Sequence, residues 1–126
     1  MIVLDENVPE DQRLVLRGWR IRARQIGQEV GRAGMSDGEI VTLLQTLTRP
    51  TFVTRDRDFL QPWLRHPSYC IVNLDVSQFE AATFVRRVLR YPRLNTWARR
   101  KGTVVRAGHD RRTVWRQGHE LERLDW

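Results

Sequence analysis

Long apolar runs are missing from this chain, and no stretch approaches the roughly 20 apolar residues that a membrane-spanning helix needs. Met1-Ile2-Val3-Leu4 meets the charge of Asp5 too soon for a secretory signal. Cysteine is nearly absent. Cys70 is alone, so an intrachain disulfide is excluded, and its apolar setting Tyr69-Cys70-Ile71-Val72 reads as a buried thiol. The expected compartment is therefore the cytoplasm. Histidine is scarce too, and His66, His109 and His119 lack the spacing of a zinc site. Lysine is scarcer still, with Lys101 the only one among 22 basic residues.

What is present is ordinary globular composition with an uneven charge. Hydrophobic residues make up 40% of 126 residues, enough for one core, and the expectation is a single domain over 1–126. Up to residue 85, ten arginines face eleven acids; from 86 onward, eleven arginines and Lys101 face only Asp110, Glu120, Glu122 and Asp125. A core over about 1–91 would thus carry a basic region over about 92–126. With Tyr91, Trp97 and Trp115 available for stacking, that region suits a nucleic acid partner.

Apolar periodicity gives alternating strands and helices. Ile2-Val3-Leu4 reads as a buried strand ending at Asp5, and Pro9-Glu10-Asp11 as the first turn of a helix closed by Gly18. Residues 19–24 alternate apolar and basic, as a half-exposed strand does. Ser36-Asp37-Gly38-Glu39 is a capping box for a helix buried through Ile40, Leu43, Leu44 and Leu47. Strands are expected at 51–54 and 69–74, then a helix capped by Ser77 and running to about Arg90, with Phe79, Ala82, Val85 and Leu89 inward. Residues 103–107 and 112–116 form a β-hairpin around Gly108-His109-Asp110.

Such alternation implies an α/β fold with a short parallel sheet, whose strand carboxyl ends form the site. Asp5 ends the first strand, Asp56 and Asp58 follow the third, and Asp37 opens the second helix. Carboxylates converging there repel one another unless a cation intervenes, and an oxygen-only donor set selects Mg²⁺ or Mn²⁺. Some of these acids have simpler roles available: Asp37 favours a helix N-terminus, Glu39 completes the capping box, and Asp58 can cap a turn. Thr54 is placed to orient a carboxylate. Arg55 and Arg57 flank the acids, either as phosphate contacts, the favoured reading, or to neutralise their acidic neighbours, and Arg99, Arg100, Lys101, Arg106 and Arg112 are the candidate nucleic-acid contacts of the basic region.

Three blocks, Val3-Leu4-Asp5-Glu6-Asn7, Ser36-Asp37-Gly38-Glu39-Ile40 and Val53-Thr54-Arg55-Asp56-Arg57-Asp58-Phe59, resemble those of PIN-like domains, especially the compact group taken as toxins of bacterial toxin–antitoxin pairs. The resemblance covers about residues 1–60. It implies a three-layer α/β/α fold, with the hairpin as a C-terminal extension. It also implies a metal-dependent ribonuclease in which Asp5, Asp37, Asp56 and Asp58 are catalytic, and Asp5, Asp37 and Asp56 hold the metal. A further acid of such domains has no counterpart between Asp5 and Asp37; Glu6 is the nearest substitute as a ligand. RNA and a cognate antitoxin are the implied partners. The rival readings are a non-catalytic PIN-like module that binds RNA or protein, and a basic region that binds an acidic antitoxin or forms a homodimer.

Overall fold

Seven strands and four helices build a mixed α/β structure in the computed structural model, which describes residues 1–126. In chain order these are β1 (Ile2–Leu4), α1 (Glu10–Gly18), β2 (Ala23–Gln25), α2 (Asp37–Thr46), β3 (Thr51–Thr54), β4 (Cys70–Asp75), α3 (Ala81–Arg90), α4 (Trp97–Arg100), β5 (Thr103–Gly108), β6 (Arg112–Arg116) and β7 (Glu122–Arg123). The sheet order is β2-β1-β3-β4-β5-β6-β7; the pairs through β4–β5 are parallel and the last two antiparallel.

Alternate strand residues feed two cores, one on each face. Leu4, Val53, Val72, Val105 and Ala107 pack with Leu16 of α1 and with Ala82, Phe84, Val85 and Val88 of α3. Val3, Phe52, Ile71 and Val104 pack on the other face with Ile40 and Leu44 of α2 and with Phe59. Helices thus cover both faces, which requires central strands apolar on both sides, as their sequences are.

Two local expectations fail for physical reasons. The strand expected over 19–24 shrinks to Ala23–Gln25 because the residues before it cap α1. Arg20 adopts φ 62°, Ile21 N–H bonds to Leu16 O at 2.9 Å and Arg20 N–H to Arg17 O at 2.9 Å, the bonding of a Schellman cap. Arginine, rather than Gly18, therefore takes the left-handed position. Phe79, expected inward, is 66% exposed. Ser77 caps a 3-10 turn over Gln78–Glu80, which shifts the phase before α3 begins at Ala81.

The hairpin forms, but it is no extension. β5 pairs in parallel with β4, from Ile71↔Val104 to Asp75↔Gly108, so residues 92–126 share the core of the domain instead of appending to it. Its physical reason is β5 itself, in which Val104 is buried on one face and Val105 and Ala107 on the other. Cys70 is buried beside Thr103, and burial pushes its thiol up to about 11, consistent with an inert structural role.

Arg100 departs most from its expected role. It is buried, donating from Nε to Thr51 Oγ1 at 3.1 Å and from a terminal nitrogen to Leu94 O at 2.9 Å. Burial lowers its pKa. Arg100→Ala is therefore expected to cost about 1.5–3 kcal/mol of unfolding free energy, the range for hydrogen bonds to charged groups. Arg99→Ala, at an exposed neighbour, should stay within about 0.5 kcal/mol. Urea denaturation of both variants checks the contrast.

Candidate metal centre

The acids collect where β1 and β3 end side by side. Their parallel register pairs Leu4 with Val53, so Asp5 and Thr54 leave the sheet next to each other. Asp5 is buried; its Oδ1 accepts from Glu6 N–H at 2.8 Å and its Oδ2 from Thr54 Oγ1 at 2.6 Å. The same threonine oxygen accepts from Asp56 N–H at 3.0 Å. A hydroxyl thus couples the first acid to the backbone of the third. Asn73, buried on β4, donates to Asp56 O at 2.7 Å, and Asp58 N–H bonds to Asp56 Oδ1 at 2.9 Å. Asp56 is held at its N–H, its carbonyl and one carboxylate oxygen.

Above this frame, carboxylate oxygens of Asp37, Asp56 and Asp58 lie within 4.8 Å of one another, all on exposed residues. Asp37 arrives from the first turn of α2, fixed by the expected capping box: Ser36 Oγ accepts from Glu39 N–H and Glu39 accepts from Ser36 N–H, both at 3.2 Å. Glu39 also pairs with Arg32 and so belongs to the cap. Asp5 lies outside the three-acid group, although it lines an adjoining cleft of about 250 Å³ with Asn7, Val8, Arg55 and Asp56. Glu6 turns away, both carboxylate oxygens accepting from Gly34 N–H at 3.2 Å.

The electrostatics fit a cation. Burial raises the pKa of Asp5 against the lowering effect of the Thr54 and Glu6 hydrogen bonds, with the charges of Asp56 and Glu6 raising it further. Desolvation, then the charges of Asp56, Asp58 and Asp5, raises that of Asp37. The chemistry of the donor set matches Mg²⁺ or Mn²⁺: three carboxylates, oxygen only, with neither histidine nor cysteine in the group. Asp75, at the end of β4, stays out of it because Arg106 holds it in a two-nitrogen contact at 2.8 and 3.2 Å, which lowers its pKa.

The candidate basic contacts scatter. Arg55 borders the cleft and donates to Val76 O at 2.8 Å; Arg57 is exposed, 3.8 Å from Asp75. Arg106 is engaged by Asp75, and Arg112 lies by the Trp126 ring, 5.9 Å from its centroid. Arg99 and Lys101 are exposed but precede β5, at the opposite sheet edge from the acids. Two positioning residues escaped sequence reasoning. Asn73 interrupts an apolar strand, which was a readable signal. Gln25, whose buried amide nitrogen bonds Asp5 O at 3.1 Å and Val8 O at 2.8 Å, gave none.

Thr54→Val tests the coupling. It removes the hydroxyl while keeping shape, leaving the buried Asp5 carboxylate one bond short, so a loss of about 1–3 kcal/mol is expected, with Thr54→Ser close to wild type. Equal stability of all three proteins in urea denaturation would show the bridge to be idle. Comparison with protein-family models, curated proteins and solved structures yields no match. No helix is long and apolar enough to cross a membrane.

Proposed function

We propose that this chain is a PIN-like endoribonuclease dependent on Mg²⁺ or Mn²⁺, acting in the cytoplasm as the toxin of a toxin–antitoxin pair. One observation carries the reading: Asp37, Asp56 and Asp58 meet within 4.8 Å at the carboxyl edge of a mostly parallel sheet, with Asp5 buried beside them. That edge is where open α/β sheets place their ligands. The antitoxin rests on the family resemblance alone.

Asp37, Asp56 and Asp58 would hold the cation. When bound, it supplies an acidified water and neutralises charge on the scissile phosphate. Asp5 and Thr54 fix Asp56, so the carboxylates keep their places without rearranging. Arg55 borders the cleft from the side of β3 and is placed to take a phosphate oxygen.

Purified protein is expected to cut single-stranded RNA with Mg²⁺ or Mn²⁺ and to stop in EDTA. The rotation of Glu6 toward Gly34 favours a second reading, a PIN-like module that binds RNA or protein without cutting, because it leaves the group at three acids. RNA bound tightly yet intact across metals and sequences would establish that module instead.

A further inference from the structure

A second charged site lies on the α1/α3 face, away from the acids. Arg86, Arg87 and Arg90 of α3 converge with Arg112 of β6 on one open cavity of about 670 Å³, walled by Tyr91 and Trp126. That volume falls within the roughly 300–1,000 Å³ of small-ligand sites. Arg112 reaches this face because it pairs with Ala107, whose side chain belongs to the α1/α3 core.

None of the four arginines is ion-paired to an aspartate or glutamate. Asp125 accepts from the Tyr91 hydroxyl, which is the largest cause of its lowered pKa, with the charges of Arg93 and Arg112 adding to it. Aromatic faces hold three of the guanidiniums: Arg86 lies 3.7 Å from the Trp19 ring centroid, Arg87 4.7 Å from Phe84 and Arg112 5.9 Å from Trp126. Stacking fixes a guanidinium without neutralising it. Arg112 also donates from one terminal nitrogen to Trp126 O, whereas the N–H rims of Arg86 and Arg87 meet no protein acceptor and are free for an anion. Arg87 and Arg90 also offset the carbonyl end of α3, which accounts for those two alone. It does not account for Arg86, one turn before Arg90, or for Arg112 arriving from a different element.

We propose that this cavity binds a compact polyphosphate group, carried by a free nucleotide or by the 5′ end of an RNA. Four positive charges around one cavity call for comparable negative charge in the same volume. A terminal phosphate alone brings about −1.5 to −2, with three acceptor oxygens matched to guanidinium forks. An extended acidic peptide spreads its same-face carboxylates about 7 Å apart. Four arginines line the cavity against two aromatic rings, of which Trp126 lies beside Arg112 and meets Tyr91 edge to face, so recognition goes to phosphate ahead of a stacked base.

The probes are inorganic triphosphate, ATP, one RNA oligonucleotide with a 5′-triphosphate or a 5′-hydroxyl, and pentaglutamate, each titrated calorimetrically in EDTA to keep metal out of the acidic group. Triphosphate should bind, and Arg86→Gln or Arg90→Gln should each weaken it about tenfold, the loss of one charge-assisted bond. Asp56→Asn and the exposed Arg17→Gln should leave binding unchanged. ATP binding as tightly as triphosphate assigns the site to free nucleotides; tighter binding of the 5′-triphosphate RNA than of either assigns it to RNA ends. Circular dichroism confirms the fold of each variant, and Arg87→Gln serves if one misfolds. No binding of triphosphate, an equal loss in Arg17→Gln, or pentaglutamate binding as tightly as triphosphate would overturn the proposal.

Discussion

Asp56→Asn is expected to leave a folded protein that no longer cuts RNA, with activity down by well over the roughly 10–100-fold that loss of an outer-sphere metal partner brings. The fold survives because asparagine keeps an amide oxygen where Asp56 Oδ1 accepts from Asp58 N–H. The backbone bonds from Thr54 and Asn73 do not involve the side chain that changes. Charge is what disappears, and it disappears from the one acid that belongs both to the three-acid group and to the cleft lined by Asp5. Asp37→Asn and Asp58→Asn remove the remaining corners and should act in the same direction. Asp5→Asn tests a separate point: its carboxylate touches Thr54 and lies outside the three-acid group, so it works as a positioning residue as well as lining the cleft. The readout is cleavage of labelled single-stranded RNA in Mn²⁺, with circular dichroism to confirm the fold. Full activity in Asp56→Asn would remove the acidic group from the chemistry altogether.

The parts of this fold that could be read from the sequence are those where one local signal has one structural solution. Largely apolar runs at 2–4, 51–54 and 69–74 fill both faces of a central strand, and strands lie in the sheet there, at Ile2–Leu4, Thr51–Thr54 and Cys70–Asp75. The capping box at Ser36 and Glu39 is likewise a local contract between two side chains and two N–H groups. Where a pattern admits two solutions, tertiary context decides. The alternation in 19–24 served a helix cap, in which Arg20 turns left-handed, Ile21 N–H bonds back to Leu16 O and the half-buried Ile21 packs against the core. Arg100 read as one of three consecutive basic surface residues, yet the short α4 presents it inward while Arg99 and Lys101 stay exposed. Periodicity cannot fix a phase within four residues. The same holds at the acids: three separated blocks placed Asp5, Asp37, Asp56 and Asp58 at one edge. Which three would meet depended on the Asx-type turn at Asp56, which brings Asp58 forward, and on burial of Asp5 under Thr54.

Adding Mn²⁺ to the wild-type protein should raise its melting temperature, and Asp56→Asn should lose most of that rise. A ligand that binds only the folded state at a hundred times its Kd stabilises by about 2.7 kcal/mol, and each kcal/mol moves the midpoint of a domain this size by roughly 3–6 °C. The pH dependence has a definite sign. The folded pKa values of Asp5 and Asp37 are raised, so the folded state holds more protons than the unfolded one around and above the ordinary aspartate range. Without metal, these two groups therefore favour folding at low pH, and their contribution is lost as pH rises through that window, when the carboxylates ionise against one another. A cation relieves that repulsion and needs the ionised form, so its stabilisation should be small at the acid end of the window and grow as pH rises through it. The measurement is the melting temperature with and without Mn²⁺ at several pH values, for wild type and Asp56→Asn. Asp75 supplies the internal contrast. Its pKa is lowered, first by the hydrogen bonds from Arg106, so its contribution is present above the ordinary range and lost as pH falls, and Asp75→Asn should leave the Mn²⁺ response intact. A metal shift independent of pH, or one equally large in wild type and Asp56→Asn, would place Mn²⁺ somewhere other than among these carboxylates.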